Sequence, residues 1–237
     1  YLIHGGFAEC FDQSDDIERR ILRDYLDLVI YRDIVDRFGV TNRALLKHLI
    51  KYLFVNPATL VSYNKLYNEF RSQGFKISKD TLIDYFSYLN DAYASFSIPI
   101  FRKSVREEQR NPKKIYIIDN SYKRLYDAFA GQDTGKLYEN LVFLHLRRRT
   151  PDIYYFKQAY EVDFFVEGNL INVSATIDNL STRQRETRSL DEAMNHLGCT
   201  ESLLLTAETG ETIKTKSGTI HVLPVWEWLC SIALTQK

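Results

Sequence analysis

Apolar residues recur at helical spacing through the first half of the chain. Between residues 14 and 37 the apolar positions fall three or four residues apart, which predicts an amphipathic helix. Ser14 is a suitable N-cap, and Gly39 is typical of a helix end. The same spacing, between polar caps and proline or glycine stops, predicts three shorter helices over 41–54, 61–74 and 78–93.

Two stretches of alternating polarity follow these helices. SFSIPIFRK (95–103) and KKIYIID (113–119) predict two strands, joined by the loop SVREEQRNP. Three short helices with a tight turn resemble a helix-turn-helix unit, and two strands with a loop after it make a winged helix. Such a unit binds DNA or a protein, and both partners stay open at this point.

Basic residues lie on the expected recognition helix and on the loop. The third helix of a winged helix enters the major groove, and the loop crosses phosphates or a minor groove. Glu107 and Glu108 are the acids that oppose the basic residues of the loop. The candidate nucleic-acid contacts are Lys76, Lys79, Arg102, Lys103, Arg106, Arg110, Lys113 and Lys114. A solvated charged loop is the alternative interpretation.

The second half of the chain mixes helical and strand patterns. Its last part predicts two more strands and a closing helix, with the polar stretch 207–218 as a hairpin loop. Before it, the patterns predict a helix over 135–149, strands over 153–156, 161–168 and 170–177, and a polar helix over 181–197. This order matches the core of the PD-(D/E)xK restriction-endonuclease-like fold. The predicted fold class is therefore α/β, or α+β for the whole chain.

Candidate chemistry lies on the predicted strands of this core. In that fold an acid on the second strand and a Glu-x-Lys on the third hold Mg²⁺, which activates water. Here Asp163 is the strand acid, Asn172 replaces the Glu and Ser174 replaces the Lys. Glu139 on the preceding helix is a further candidate ligand, and Glu161 shares a strand face with Asp163. Asn has no charge and Ser cannot act as Lys does, which predicts a degenerate site that binds metal weakly.

Composition adds little to this picture. The chain has 31 basic and 31 acidic residues, so any basic surface must be local. Its 3 cysteines are far apart in sequence, which argues against a disulfide framework or a zinc site and favours a reducing cytosol. No signal peptide or membrane-spanning run is visible, so a cytoplasmic protein without membrane contact is expected.

Seven segments, in this order, resemble an uncharacterised domain family that follows an AAA-type P-loop ATPase module in bacterial and archaeal proteins. The resemblance as a whole covers nearly the whole chain. They are YLIHGGFAE (1–9), YLDLVIYRDIVDRFGV (25–40), SYNKLYNEF (62–70), SKDTLIDYFSYLNDAY (78–93), KKIYIIDNSY (113–122), GKLYENLVFLHL (135–146) and YYFKQAYEVDFFV (154–166). The family usually has Gly-Gly-Phe-Pro-Glu near the start, where this chain has Ala8 in place of Pro.

The resemblance implies three parts: 1–40 as the tail of the ATPase module, 41–118 as a winged helix and 119–237 as a restriction-endonuclease-like domain. It also implies an upstream module that binds ATP, since no P-loop motif occurs in these residues. Many members keep Glu-x-Lys or a relaxed version of it, and Asn-Val-Ser at 172–174 departs from it.

The expected function is nucleic-acid or partner recognition within an AAA-type ATPase, with little or no catalysis by this part of the chain. Two alternatives stay open. One is a Mg²⁺-dependent nuclease that uses Glu139, Glu161 and Asp163, and the other is a protein–protein interaction module.

Overall fold

The computed structural model describes residues 1–102, 104–127 and 133–234. The chain forms two compact units, each assembled from two segments. Unit 1 consists of Tyr1–Ser97 and Pro112–Asp133, and unit 2 of Ile98–Asn111 and Thr134–Lys237. Both units mix helices with strands, which confirms the predicted combination of the two.

Unit 1 begins with a segment tied to a long helical rod. Helix α1 spans Asp15–Leu28 and continues without a break as a π-helix over Val29–Asp36. Acids occupy the first turn of α1, where the helix dipole favours negative charge. The rod buries Leu22, Leu26 and Ile30 in one core with the helices that follow.

Three helices and a small sheet complete unit 1. The helices are α2 (Arg43–Val55), α3 (Tyr63–Ser72) and α4 (Lys79–Asp91). The predicted caps of α2 and α4 are present, because Asn42 accepts the Leu45 N–H and Ser78 accepts the Thr81 N–H, both at 3.0 Å. Ser14, the predicted N-cap of α1, makes no side-chain capping hydrogen bond. The strands are β1 (Thr59–Val61), β2 (Ser95–Ile98) and β3 (Lys113–Ile117), in the spatial order β1-β3-β2.

Unit 2 is built on a six-stranded mixed sheet in the order β4-β5-β6-β7-β9-β8. Its strands are β4 (Tyr154–Lys157), β5 (Glu161–Val166), β6 (Asn169–Val173), β7 (Glu201–Thr206), β8 (Glu211–Lys214) and β9 (Thr219–Pro224). The pairs β6/β7 and β7/β9 are parallel, and the other three are antiparallel. Parallel strands need a crossover connection, which α7 (Leu180–Leu197) provides between β6 and β7.

Helices cover both faces of this sheet. Leu190, Ala193 and Met194 of α7 pack on even-numbered strand residues such as Leu170 and Leu204. Helices α6 (Thr134–Arg147) and α8 (Val225–Leu234) contact β6, β7 and β9. Within the described ranges, no helix combines the length and the apolar character needed to cross a membrane.

Three elements differ from the sequence expectations. The charged stretch predicted as a loop contains a short helix, α5 (Val105–Arg110). Strand β1 precedes α3, and the stretch predicted as a polar hairpin loop contains β8. Both unpredicted strands are only three or four residues long, which is too short for an alternation to stand out.

Candidate functional site

Asp163 and Asn172 join two neighbouring strands through side-chain to main-chain hydrogen bonds. Asp163 lies on β5, where alternate residues are buried, and Asn172 lies on β6. The Asp163 N–H donates to the Asn172 side-chain oxygen at 3.0 Å, and the Val173 N–H donates to Asp163 Oδ2 at 2.8 Å. The candidate strand acid therefore helps to hold β5 against β6.

Asn172 also links the sheet to helix α7. Its side-chain nitrogen donates to Glu186 Oε2 and to Ser189 Oγ, each at 2.8 Å. Ser189 Oγ in turn donates to the Glu186 carbonyl at 2.9 Å. Asn172 is 1% exposed, so these bonds form away from water, where an unpaired amide is costly.

Glu186 is the member of this cluster that the sequence expectations missed. It is 8% exposed, and its Oε1 accepts hydrogen bonds from Arg185 at 2.6 and 3.0 Å. Burial raises the pKa of Glu186 above its ordinary value of 4.5, while the Arg185 guanidinium opposes that shift and the nearby Asp163 charge adds to it. A sequence signal existed, because Glu186 falls on the stripe of Ser189, Leu190 and Ala193 at helical spacing.

The other candidate site residues have different surroundings. Ser174 is buried and donates to the Thr176 carbonyl at 2.8 Å, which satisfies its hydroxyl locally. Glu161 pairs with Lys157 at 3.3 Å on the outer strands of the sheet. Glu139 is buried on α6, at 8% exposure.

The donor groups around Asp163 do not fit a Mg²⁺ ion. Mg²⁺ is held by one or two carboxylates that leave room for several waters. Of the four carboxylate oxygens on Asp163 and Glu186, three accept hydrogen bonds from the chain itself. Among the residues with described positions, no three His, Cys, Asp or Glu side chains are grouped so as to hold a metal ion. We therefore derive no step through a metal.

The predicted nucleic-acid contacts differ in accessibility. Lys76, Lys79 and Arg106 are exposed. Arg102 is half-buried, and its guanidinium donates to the carbonyls of Lys157 at 2.8 Å and Phe101 at 3.1 Å. The remaining candidates with described side chains are the half-buried Lys113 and the buried Lys114. Lys103 and the side chain of Arg110 lie outside the described part of the chain.

Residues 99–101 are bonded to the edge of the large sheet. Ile100 forms a parallel bridge with Tyr155 of β4. The Phe101 N–H donates to the Tyr155 carbonyl at 2.7 Å, and the Tyr155 N–H donates to the Pro99 carbonyl at 3.0 Å. The first part of the charged connection is therefore an added edge segment of the sheet of unit 2, and Arg106 lies beyond it on α5.

Comparison with known proteins identifies a family through a match to the first part of the chain. The family model described as "Domain of unknown function (DUF8612)" matches residues 1–131. The chain belongs to this family. No solved structure matches it significantly.

Relatives of this DUF8612 protein occur in archaea and bacteria. An uncharacterized protein of Methanocaldococcus jannaschii is 30% identical over an alignment of 243 positions. The alignment covers 96% of this chain and 54% of that protein. An uncharacterized protein of Haemophilus influenzae is 25% identical over 232 residues, which cover 97% of this chain and 56% of that protein. The chain thus spans about half the length of the curated relatives it matches.

Proposed function

We propose that this chain is a recognition region that binds nucleic acid or a protein partner, and that its nuclease-like site performs no hydrolysis. The proposal rests on one observation, namely the absence of charge on Asn172 together with its hydrogen bonds within the chain. A nuclease of this fold would have a carboxylate at this position, whereas Asn172 is neutral and its side chain hydrogen-bonds to Asp163, Glu186 and Ser189 of the chain itself. Ser174, in place of the lysine, is likewise bonded to a nearby carbonyl.

The hydrogen bonds of Asn172 give this residue a structural role that requires no catalytic activity. Its oxygen accepts from β5 and its nitrogen donates to two groups of α7. A Glu at this position would bring a second buried carboxylate next to Glu186, whose pKa is already raised by burial. The hydrogen bonds therefore favour a scaffold held together by Asn172 over a metal-binding carboxylate there.

The order of elements in unit 1 supports a winged helix as the recognition part. The chain order is α2, β1, α3, α4, β2 and β3, and the strand order β1-β3-β2 leaves the β2–β3 connection as the wing. The positions expected to face a groove from α4, Lys79, Asp80, Asp84 and Ser87, are all exposed. Lys76 and Arg106 add exposed positive charge.

We also propose that the region works within a longer protein whose other part is an AAA-type ATPase. The support is the resemblance of the seven segments and the length of the relatives, of which this chain matches 54% and 56%. ATP would bind in that other part, and the region described here would select what the ATPase acts upon.

Calorimetry with Mn²⁺ and Mg²⁺ tests the part of the proposal that concerns chemistry. The chain and its Asp163→Asn variant should give the same small heats, and neither should cleave DNA or RNA. Metal binding at tens of micromolar, lost in Asp163→Asn, would contradict the proposal. It would favour instead the Mg²⁺-dependent nuclease with Glu139, Glu161 and Asp163.

Duplex DNA binding tests two separate candidate contacts, Lys79 on α4 of unit 1 and Arg106 on the β2–β3 connection, which belongs to unit 2. The variants Lys79→Ala and Arg106→Ala should each weaken binding about fivefold, as expected for loss of one phosphate contact, and each should lower the salt slope by about 0.9. Arg20→Ala removes an exposed arginine on α1 and serves as the matched control. If the unaltered chain does not bind duplex DNA at low salt, duplex DNA is not its ligand, and a single strand or a protein remains as the partner.

A further inference from the structure

A basic groove runs along the exposed side of α7 in unit 2. It is bounded by one face of the helix, by the edge strand β8 and by the turn after β8. Its volume is about 820 Å³. The positively charged side chains that line it are Arg183, Arg185, Arg188, Lys214 and Lys216. Asp191 is the acidic residue among the lining side chains, and Glu211, Glu186 and Glu192 each pair with one of the three arginines, so the net positive charge of the groove is small and comes from its lysines.

The acids near the groove are engaged with particular partners. Asp191 accepts the Ser217 N–H at 2.9 Å, which fixes the turn after β8. Glu211 pairs with Arg183 at 2.6 Å, and Glu186 is buried beneath Arg185. Glu192 is 3.8 Å from Arg188, at the limit of an ion pair. An exposed pair of this kind contributes little, so an incoming phosphate can compete for the arginine.

Arg188 and Tyr160 are in contact at the groove, and the surface they present together is called here the Arg188–Tyr160 platform. The guanidinium carbon lies 5.5 Å from the centre of the Tyr160 ring, and its nitrogen donates to the Tyr160 hydroxyl at 2.9 Å. The Arg188 side chain is 65% exposed. Leu180, at the start of α7, is 67% exposed and adds an apolar surface within the same groove. Unpaired bases stack on surfaces of this kind, whereas bases within a duplex are not available to do so.

Lysines on edge strands also serve another purpose, because they prevent pairing between sheets. Lys214 on β8 fits that purpose. It does not explain the three arginines, which lie on α7 and not on the strand edge. Arg185 and Arg188 are three residues apart and lie on one side of the helix, whereas Arg183 projects from another side, towards Glu211 of β8. All three line the same groove as the two lysines.

We propose that this groove binds the phosphodiester backbone of single-stranded nucleic acid, with a base stacked on the Arg188–Tyr160 platform. The inference rests on the proposed function in one respect only, namely that nucleic acid is a ligand of this protein. It adds a second surface, on unit 2, which prefers an unpaired strand, and it gives the nuclease-like scaffold a binding role.

Fluorescence anisotropy with a labelled oligo-dT of about 20 nucleotides tests the groove. The double variant Lys214→Ala/Lys216→Ala should bind roughly 10- to 30-fold more weakly than the unaltered chain, with a salt slope smaller by about 1.4. The control Lys51→Ala/Lys65→Ala removes the same charge from exposed positions on α2 and α3, and should change the affinity less than about twofold. Equal losses in the two double variants would overturn the proposal.

A second pair of variants separates stacking from charge. Arg188→Lys keeps the positive charge but loses the planar group, so it should weaken oligo-dT binding several-fold at an unchanged salt slope. Tyr160→Ala should have a similar effect. If both variants bind as tightly as the unaltered chain, no base stacks at this platform and that part of the proposal is wrong.

The duplex experiment separates failure of the groove from failure of the proposed function. The groove variants should retain duplex affinity, and Arg106→Ala should retain oligo-dT affinity. A chain that binds duplex but not oligo-dT at low salt would overturn the groove and leave the proposed function standing. A chain that binds neither would overturn the groove and leave only a protein partner for the proposed function.

Discussion

The carboxylate of Asp119 accepts the main-chain N–H of Gly6, which precedes it by 113 residues, at 2.8 Å. Its other oxygen accepts the N–H of Ser121 at 2.8 Å and the Ser121 hydroxyl at 2.6 Å. Asn120 adds a bond to the Leu2 carbonyl at 3.0 Å. One buried turn therefore fixes the N-terminal segment of unit 1 to the rest of that unit.

Gly5→Ala should destabilise unit 1 by about 2 kcal/mol or more. Gly5 has a φ of +74°, and a Cβ there would lie 1.8 Å from an Asp119 oxygen. Gly39→Ala is the matched control, since Gly39 has a φ of +64° but no atom within 4 Å of the added Cβ. It should cost only about 1 kcal/mol, from backbone strain alone. Urea unfolding measures both, and equal losses would show that Asp119 moves aside freely.

Arg124→Met should cost about 3 kcal/mol, because it leaves the carboxylate of Glu18 buried without its main partner. Glu18 is 2% exposed and hydrogen-bonds to Arg124, which also pairs with Asp15 at 3.0 Å. The double variant Glu18→Leu/Arg124→Met removes both charges and should recover most of the loss. Unfolding curves for the two single variants and the double variant would reveal whether the pair is coupled in this way.

Asn172→Ala should cost about 3 kcal/mol, since it leaves Glu186 Oε2 and the Asp163 N–H without the bonds they make now. Asn169→Ala is the control: this residue is exposed at the start of β6, and its bonds to carbonyls are 3.2 and 3.4 Å long. Its replacement should change the free energy of unfolding by less than about 0.5 kcal/mol. A similar small loss for Asn172→Ala would mean that waters replace the amide.

The stability of unit 2 should fall with rising pH in a window set by Glu186. Burial raises the pKa of this carboxyl in the folded chain above the ordinary 4.5, so the folded chain binds the proton more tightly than the unfolded one. Its contribution is complete below pH 4.5 and is lost as the pH rises through the folded pKa. Glu186→Gln cannot ionise, so the difference in unfolding free energy, variant minus unaltered chain, should grow across this window and then level off. A difference that stays flat with pH would mean that the Arg185 pairing cancels the effect of burial.

Most of the regular structure could be predicted from the sequence, because long amphipathic helices and alternating strands leave a periodic pattern. The cap residues Asn42 and Ser78 fixed two helix starts correctly. The sequence did not predict that residues 99–101 of the β2–β3 connection bond to strand β4. Arg102 of this connection follows an alternating stretch and looks like a wing residue, yet it hydrogen-bonds to the main chain at Lys157, and only the fold brings those two together.

The candidate site was predictable only in part, for a similar reason. Asp163 and Asn172 lie on neighbouring strands, and a register argument brings them close. Glu186 contributes from a helix with a largely polar sequence, and its buried partners, Asn172 and Ser189, are neutral.

The two-segment make-up of each compact unit limits how the chain can be divided. The path leaves unit 1 after Ser97, returns at Pro112 and leaves again after Asp133. A fragment that ends near residue 131, where the family match stops, would therefore carry the buried Ile100 without the β4 strand to which it is bridged. A cut after Asp133 keeps all of unit 1 but leaves unit 2 without residues 98–111, so recombination at one point between genes cannot transfer unit 2 complete without unit 1.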